Sequence, residues 1–189
     1  MRKRVAALIS GRGSNLQALL DADQDDYDIA LVVSNIPNAP GLARARAAGV
    51  ASIALDHKPY GQNREAFERD LDALLVQHNI EIVALAGFMR VLTPFFVRAW
   101  ANRLVNIHPS LLPKFPGTKT HQRALDAGES EHGCTVHMVV EEVDAGEILG
   151  QARMPILADD TPETLAERVL TLEHKLYPRC LAQLARTRS

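Results

Sequence analysis

The stretch V-A-A-L-I-S-G-R-G-S-N-L-Q, Val5 to Gln17, decides the fold of this chain. Its apolar opening is long enough for a buried strand and too short for a signal peptide or a membrane span. Gly11 and Gly13 then permit a tight turn with backbone N–H groups pointing outward. Ser14 and Gln17 have capping-box spacing, which predicts a helix opened by the Ser14 side chain. A helix start behind a glycine loop favours an anion, typically phosphate. A dinucleotide fingerprint would need a small residue where Leu16 stands and an acid where Ser34-Asn35 follow the second strand, so NAD is excluded. A single phosphate on a small substrate fits, with Arg12 adding charge.

Outward from this unit the same alternation continues. Ile29–Val33, Ser52–Leu55, Ile80–Ala86 and Leu104–Ile107 read as strands. Asn15–Ala22, Gly41–Ala48, Arg64–His78 and Pro94–Ala101 read as helices, the third with Phe67, Leu71, Leu74, Leu75 and His78 on one face. Near-continuous apolar strands alternating with helices mean a parallel sheet covered on both sides. Ser10–Asn15, Gly87–Arg90 and Asn106–Ser110 fall at strand carboxyl ends and are expected to meet on one rim.

After Pro116 the pattern changes. Thr120–Ala127 predicts a short helix. Cys134–Val140 alternates, with Val136, Met138 and Val140 on one face, and Ile148–Ile156 predicts an antiparallel return. Thr161-Pro162-Glu163 starts a long helix, with Thr161 as its cap. Leu165, Val169, Leu172 and Leu176 form its stripe, Glu173 lies at the stripe's edge, and Pro178 is expected to end or kink it. The expected fold is α/β: a Rossmann-like, mostly parallel twisted sheet with helices on both faces, antiparallel C-terminal strands and a long C-terminal helix. A length of 189 residues suits one domain over 1–189, with functional halves near 1–100 and 101–189.

Apolar residues make up 47% and charged residues 23%, with a net charge of −2 and no dense Lys/Arg block. That excludes a nucleic-acid module and a membrane partner, and leaves monomer or homodimer open. Two cysteines, Cys134 and Cys180, form no C-x-x-C pair, which suits a reducing cytoplasm.

The stretch L-V-N-I-H-P-S-L-L-P, Leu104 to Pro113, carries the chemistry. Pro109 pushes His108 toward an extended conformation. Asn106 and His108 then share a strand face about 6–7 Å apart. An amide beside an imidazole can serve an oxyanion and a proton transfer together. Asp144, in the turn V-D-A-G, is the acid that would accept from His108, fix its tautomer and favour its charged form. Other readings are weaker. Cys134 and His137 point to opposite strand faces and no helical His-x-x-x-His exists, so no metal is expected. Ser110 lacks the strand-to-helix elbow of a serine hydrolase. By residue type alone, Arg64 reads as surface charge, Met89 and Leu92 as core, and Glu173 as an exposed carboxylate.

G-R-G-S-N-L at 11–16, L-A-G-F-M-R-V-L at 85–92, N-I-H-P-S-L-L-P at 106–113, H-G-C-T-V-H at 132–137, V-D-A-G at 143–146 and L-E-H-K-L-Y-P at 172–178 together resemble the phosphoribosylglycinamide formyltransferase family. The resemblance implies formyl transfer from 10-formyltetrahydrofolate, without a metal, to the amine of 5′-phosphoribosylglycinamide. It implies Asn106, His108 and Asp144 as the catalytic trio. Gly11, Gly13, Ser14, Asn15 and Glu173 would bind the acceptor. Arg64, Met89, Arg90, Val91, Leu92, Asn106 and the run Val140, Glu141, Glu142, Val143, Asp144 would bind the folate. The rival within this resemblance is a formyltetrahydrofolate hydrolase, which would need no phosphate cradle and is expected to carry an extra N-terminal domain. A methionyl-tRNA formyltransferase would need a basic RNA-binding domain.

Overall fold

A computed structural model describes residues 2–22 and 25–187. The chain runs β1 (Lys3–Ile9), α1 (Ser14–Asp21), β2 (Tyr27–Ser34), α2 (Gly41–Ala47), β3 (Ala51–Ala54), a 3-10 turn (Lys58–Tyr60), α3 (Arg64–Gln77) and β4 (Ile82–Leu85). It continues through α4 (Pro94–Ala99), β5 (Leu104–His108), α5 (Thr120–Asp126), β6 (Glu131–Met138), β7 (Ile148–Pro155) and α6 (Pro162–Thr187). The seven strands form one sheet in the order β3-β2-β1-β4-β5-β6-β7. The first five are parallel, and β6 and β7 join antiparallel. The expected α/β architecture is the observed one.

Alternation along β1 feeds two cores. Val5, Ala7 and Ile9 pack beneath α1 and α6, with Leu16, Leu19, Val169 and Leu181. Ala6 and Leu8 pack on the other face with Phe67, Leu71, Phe96 and Trp100 of α3 and α4. Both faces of a parallel strand are therefore dry, which is why its sequence lacks polar alternation. Among the described residues no helix is long and apolar enough to cross a membrane.

Three local expectations are corrected. Ser14 does not cap α1: Gly13 takes the cap position in a left-handed conformation (φ 72°), with no side-chain bond to the first turn. Gln17 instead reaches Asp21 and receives Arg44. A side chain on Gly13 would also stand 2.8 Å from the Gly41 Cα, so glycine is required there twice over. Second, α6 does not end at Pro178 but continues to Thr187. Proline removes one intrahelical bond, but Tyr177, Cys180, Leu181 and Leu184 are buried around it and hold the helix to the sheet. The Tyr177 hydroxyl, fully buried, faces the carbonyls of Leu85 (3.0 Å) and Val105 (3.2 Å), tying α6 under β4 and β5. Third, Glu173 is not at the edge of the stripe but inside it, 7% exposed between Val169 and Tyr177. Thr161 does cap α6, its Oγ1 accepting from Thr164 N–H.

Candidate functional site

Because β1, β4 and β5 are parallel neighbours, their carboxyl ends lie side by side, as the sequence implies. The Ser10 N–H donates to the Gly87 carbonyl (3.1 Å), joining the glycine loop to the loop after β4. The first turn of α1 presents its N–H groups with no side-chain cap. Beside it a cleft of about 550 Å³ is lined by Ser14, Gln17, Arg44, His174, Lys175 and Arg179, among others. Uncapped donors with Arg44, Lys175 and Arg179, against the single carboxylate of Asp21, suit an anion. Asn15 and Glu173 are buried and bonded to each other, Nδ2 to Oε2 at 2.7 Å, while Asn15 Oδ1 has no partner. Burial raises the Glu173 carboxyl above the usual carboxylate range, and the Asn15 bond only partly opposes it. His174, given no role of its own by the sequence, has a buried Nε2 with no partner.

A second cleft, of about 290 Å³, opens at the ends of β4 and β5. Met89, Arg90, Val91, Leu92, Asn106, Val140, Glu141, Val143 and Asp144 line it, together with residues assigned no binding role from sequence, including Phe88, Val97, Thr118 and His137. Met89 and Val91 are 78% and 61% exposed, large apolar side chains held open to solvent. Such a wall suits a flat aromatic ligand. Arg64 does not line the cleft; its guanidinium, exposed, donates to the Val91 carbonyl (3.4 Å). Glu142 also lies outside, in a separate shallow depression beside α4. Residues 85–97 enter the second cleft and residues 174–179 the first.

At the floor of the second cleft the three polar residues meet, joined by a fourth. Asp144 Oδ2 lies 3.4 Å from His108 Nδ1, and its Oδ1 lies 3.6 Å from His137 Nε2. Asp144 also accepts from the Gly117 N–H (2.8 Å) and holds a left-handed backbone (φ 55°), which an aspartate tolerates. His137 pairs opposite Asn106 in the antiparallel register. Its Nδ1–H donates to the Met138 carbonyl (2.9 Å), leaving Nε2 to accept from Asn106 Nδ2 (3.3 Å). Burial lowers the His137 pKa, consistent with this neutral tautomer. His108 is almost enclosed, its Nε2 donating to the Phe115 carbonyl (3.0 Å). Both its nitrogens thus face oxygen acceptors, which suits a ring carrying two N–H bonds. It does not line the cleft itself. From sequence His137 is weighed only as a metal ligand; the register with β5 sets it against Asn106.

Residues 3–181 match the family model described as formyl transferase. The chain belongs to the formyl transferase family. A phosphoribosylglycinamide formyltransferase of Escherichia coli is 45% identical over 184 residues, covering 96% of this chain and 86% of that one. A trifunctional purine biosynthetic protein adenosine-3 of Drosophila melanogaster is 52% identical over 97% of this chain. This chain spans only 14% of that relative's length. Glycinamide ribonucleotide transformylase 1 from Symbiobacterium toebii superposes with a TM-score of 0.94 at 42% identity, covering 99% of this chain and 89% of that one. The second cleft opens beside the amide–imidazole–carboxylate group, whereas the first runs along α1 and α6 and is lined by none of those residues. Among the described residues no group of three or more His, Cys, Asp or Glu converges to hold a metal ion.

Proposed function

We propose that this chain transfers the formyl group of 10-formyltetrahydrofolate to the amine of 5′-phosphoribosylglycinamide, giving the formylated ribonucleotide and tetrahydrofolate in purine biosynthesis. The observation that carries the reading is the meeting of Asn106, His108, His137 and Asp144 beside an apolar-walled cleft, next to an uncapped helix start. The folate ring lies against Met89–Leu92, Val140, Glu141, Val143 and Asp144. The acceptor phosphate sits on Gly11, Gly13, Ser14 and Asn15, and Glu173 binds its sugar.

The acceptor amine attacks the formyl carbon, forming a C–N bond and a tetrahedral oxyanion. Asn106 Nδ2, held by His137, donates to that oxygen, and His108 adds positive charge. Asp144 takes the amine proton, through water. As the C–N10 bond breaks, N10 gains a proton from His108, whose Nε2–H must leave the Phe115 carbonyl to reach it. Holding amine and formyl group together contributes at least as much as the oxyanion contacts. Cys134 and Cys180, both buried and free, fit a cytoplasmic enzyme.

Mixing the protein with 10-formyltetrahydrofolate, with and without glycinamide ribonucleotide, tests the reading. Acceptor-dependent loss of formyl is expected. Equal loss without acceptor would make the protein a formyltetrahydrofolate hydrolase and refute it.

A further inference from the structure

The loop from Gly87 to Thr93 walls the donor cleft, yet no helix or strand runs through it to hold its shape. Its polar anchors come from outside the cleft. At one end the Met89 N–H donates to Ser10 Oγ (2.8 Å), and that hydroxyl donates to the buried Asn35 Oδ1 (2.5 Å). At the other end stands Glu68 on α3, only 2% exposed beside Phe67 and Leu71. A carboxylate so enclosed is costly unless its oxygens are bonded. Both are bonded to one residue: Oε1 accepts the Thr93 N–H at 2.9 Å, and Oε2 accepts the Thr93 hydroxyl. Thr93 is the N-cap of α4, but its hydroxyl, committed to Glu68, makes no cap bond. Packing alone would be served by leucine at position 68. What the carboxylate adds is a fixed position for Thr93.

We propose that Glu68 is a positioning residue for the formyl donor, fixing through Thr93 the far end of the loop that carries Met89–Leu92, while Ser10 fixes the near end. This rests on the donor site assigned above. The loop is held in its open-faced shape before ligand arrives, so donor binding does not have to order it.

Glu68→Leu and Glu68→Gln in the full chain test this, with donor KM, acceptor KM, thermal midpoint and direct binding of tetrahydrofolate by calorimetry. Glu68→Leu should raise donor KM and the tetrahydrofolate Kd on the order of 10-fold. Acceptor KM should stay within about twofold, since that cleft shares no partner with Glu68. The thermal midpoint should hold or rise, because leucine suits the apolar surroundings. Glu68→Gln keeps an acceptor for the Thr93 N–H and should restore donor binding. Thr93→Val, which removes only the hydroxyl, should move donor KM in the same direction. Unchanged donor binding in Glu68→Leu and Thr93→Val overturns the proposal, as does a joint loss of both KM values and thermal midpoint. Failure of the parent protein to bind tetrahydrofolate would overturn the donor-site reading itself, and this proposal with it.

Discussion

Gly146→Ala should cripple catalysis by moving Asp144 rather than by touching substrate. A Cβ built on Gly146 stands 1.7 Å from the Met138 carbonyl oxygen and 2.7 Å from its carbon. Real Cβ contacts are not closer than 3.0 Å, so the turn must retreat by at least 1.3 Å. It cannot do so freely, because the Met138 N–H is bonded to the Glu147 carbonyl (2.8 Å). The displacement therefore passes to Asp144, two residues back, whose carboxylate lies 3.4 Å from His108 Nδ1. Misplacing a catalytic group by about 1 Å costs on the order of 10²-fold. Steady-state formyl transfer should show kcat/KM reduced by about that factor, and overpacking should lower stability by about 1–3 kcal/mol. Circular dichroism at 25 °C should still report a folded chain. A folded Gly146→Ala variant with more than about a third of parental kcat/KM would refute the claim that this turn sets the Asp144–His108 geometry.

Other outcomes follow from the same contacts. His108→Ala should lower kcat by about 10²–10³ while the far-ultraviolet spectrum stays unchanged; near-normal turnover would remove His108 from the mechanism. For Glu173, burial raises the folded carboxyl pKa, so its stabilising contribution is present below the ordinary value of 4.5 and is lost as pH rises through the raised value. Glu173→Gln should therefore be more stable than the parent in urea at pH 8 and show a smaller advantage at pH 5, while acceptor KM rises; parity at both pH values would refute this. His132 carries the opposite dependence. Burial depresses its pKa to about 4 from 6.5, so its contribution is complete above pH 6.5 and lost as pH falls toward 4. The loss is up to about 3 kcal/mol, and His121, bonded to it at 3.1 Å and also depressed by burial, adds in the same direction. Urea midpoints at pH 7 and pH 4.5 should differ less in His132→Gln than in the parent.

The sequence by itself determined the layers and the placement of the chemistry on them. Val5–Ile9 is apolar on both faces because both faces are covered, and the glycine-rich turn after it marks the loop that leads into α1. Asn106 and His108 share a face because a strand repeats every two residues, a rule that holds within five residues of chain. Motif resemblance added Met89, Leu92 and Glu173, which residue type alone had assigned to core or surface. Local rules failed where a distant partner decided the outcome. Ser14 has the spacing of a cap, but the close approach of Gly41 puts Gly13 there instead. Glu173 is buried because Asn15, on a helix 158 residues earlier, supplies its hydrogen bond. Glu68 is buried because Thr93 does the same. Only the folded chain could set His137 against Asn106 and bring Asp144 between two imidazoles. The pairing register of β5 with β6 and the return of the turn after β6 are fixed by packing summed over the whole sheet, and no short window of residues contains that sum.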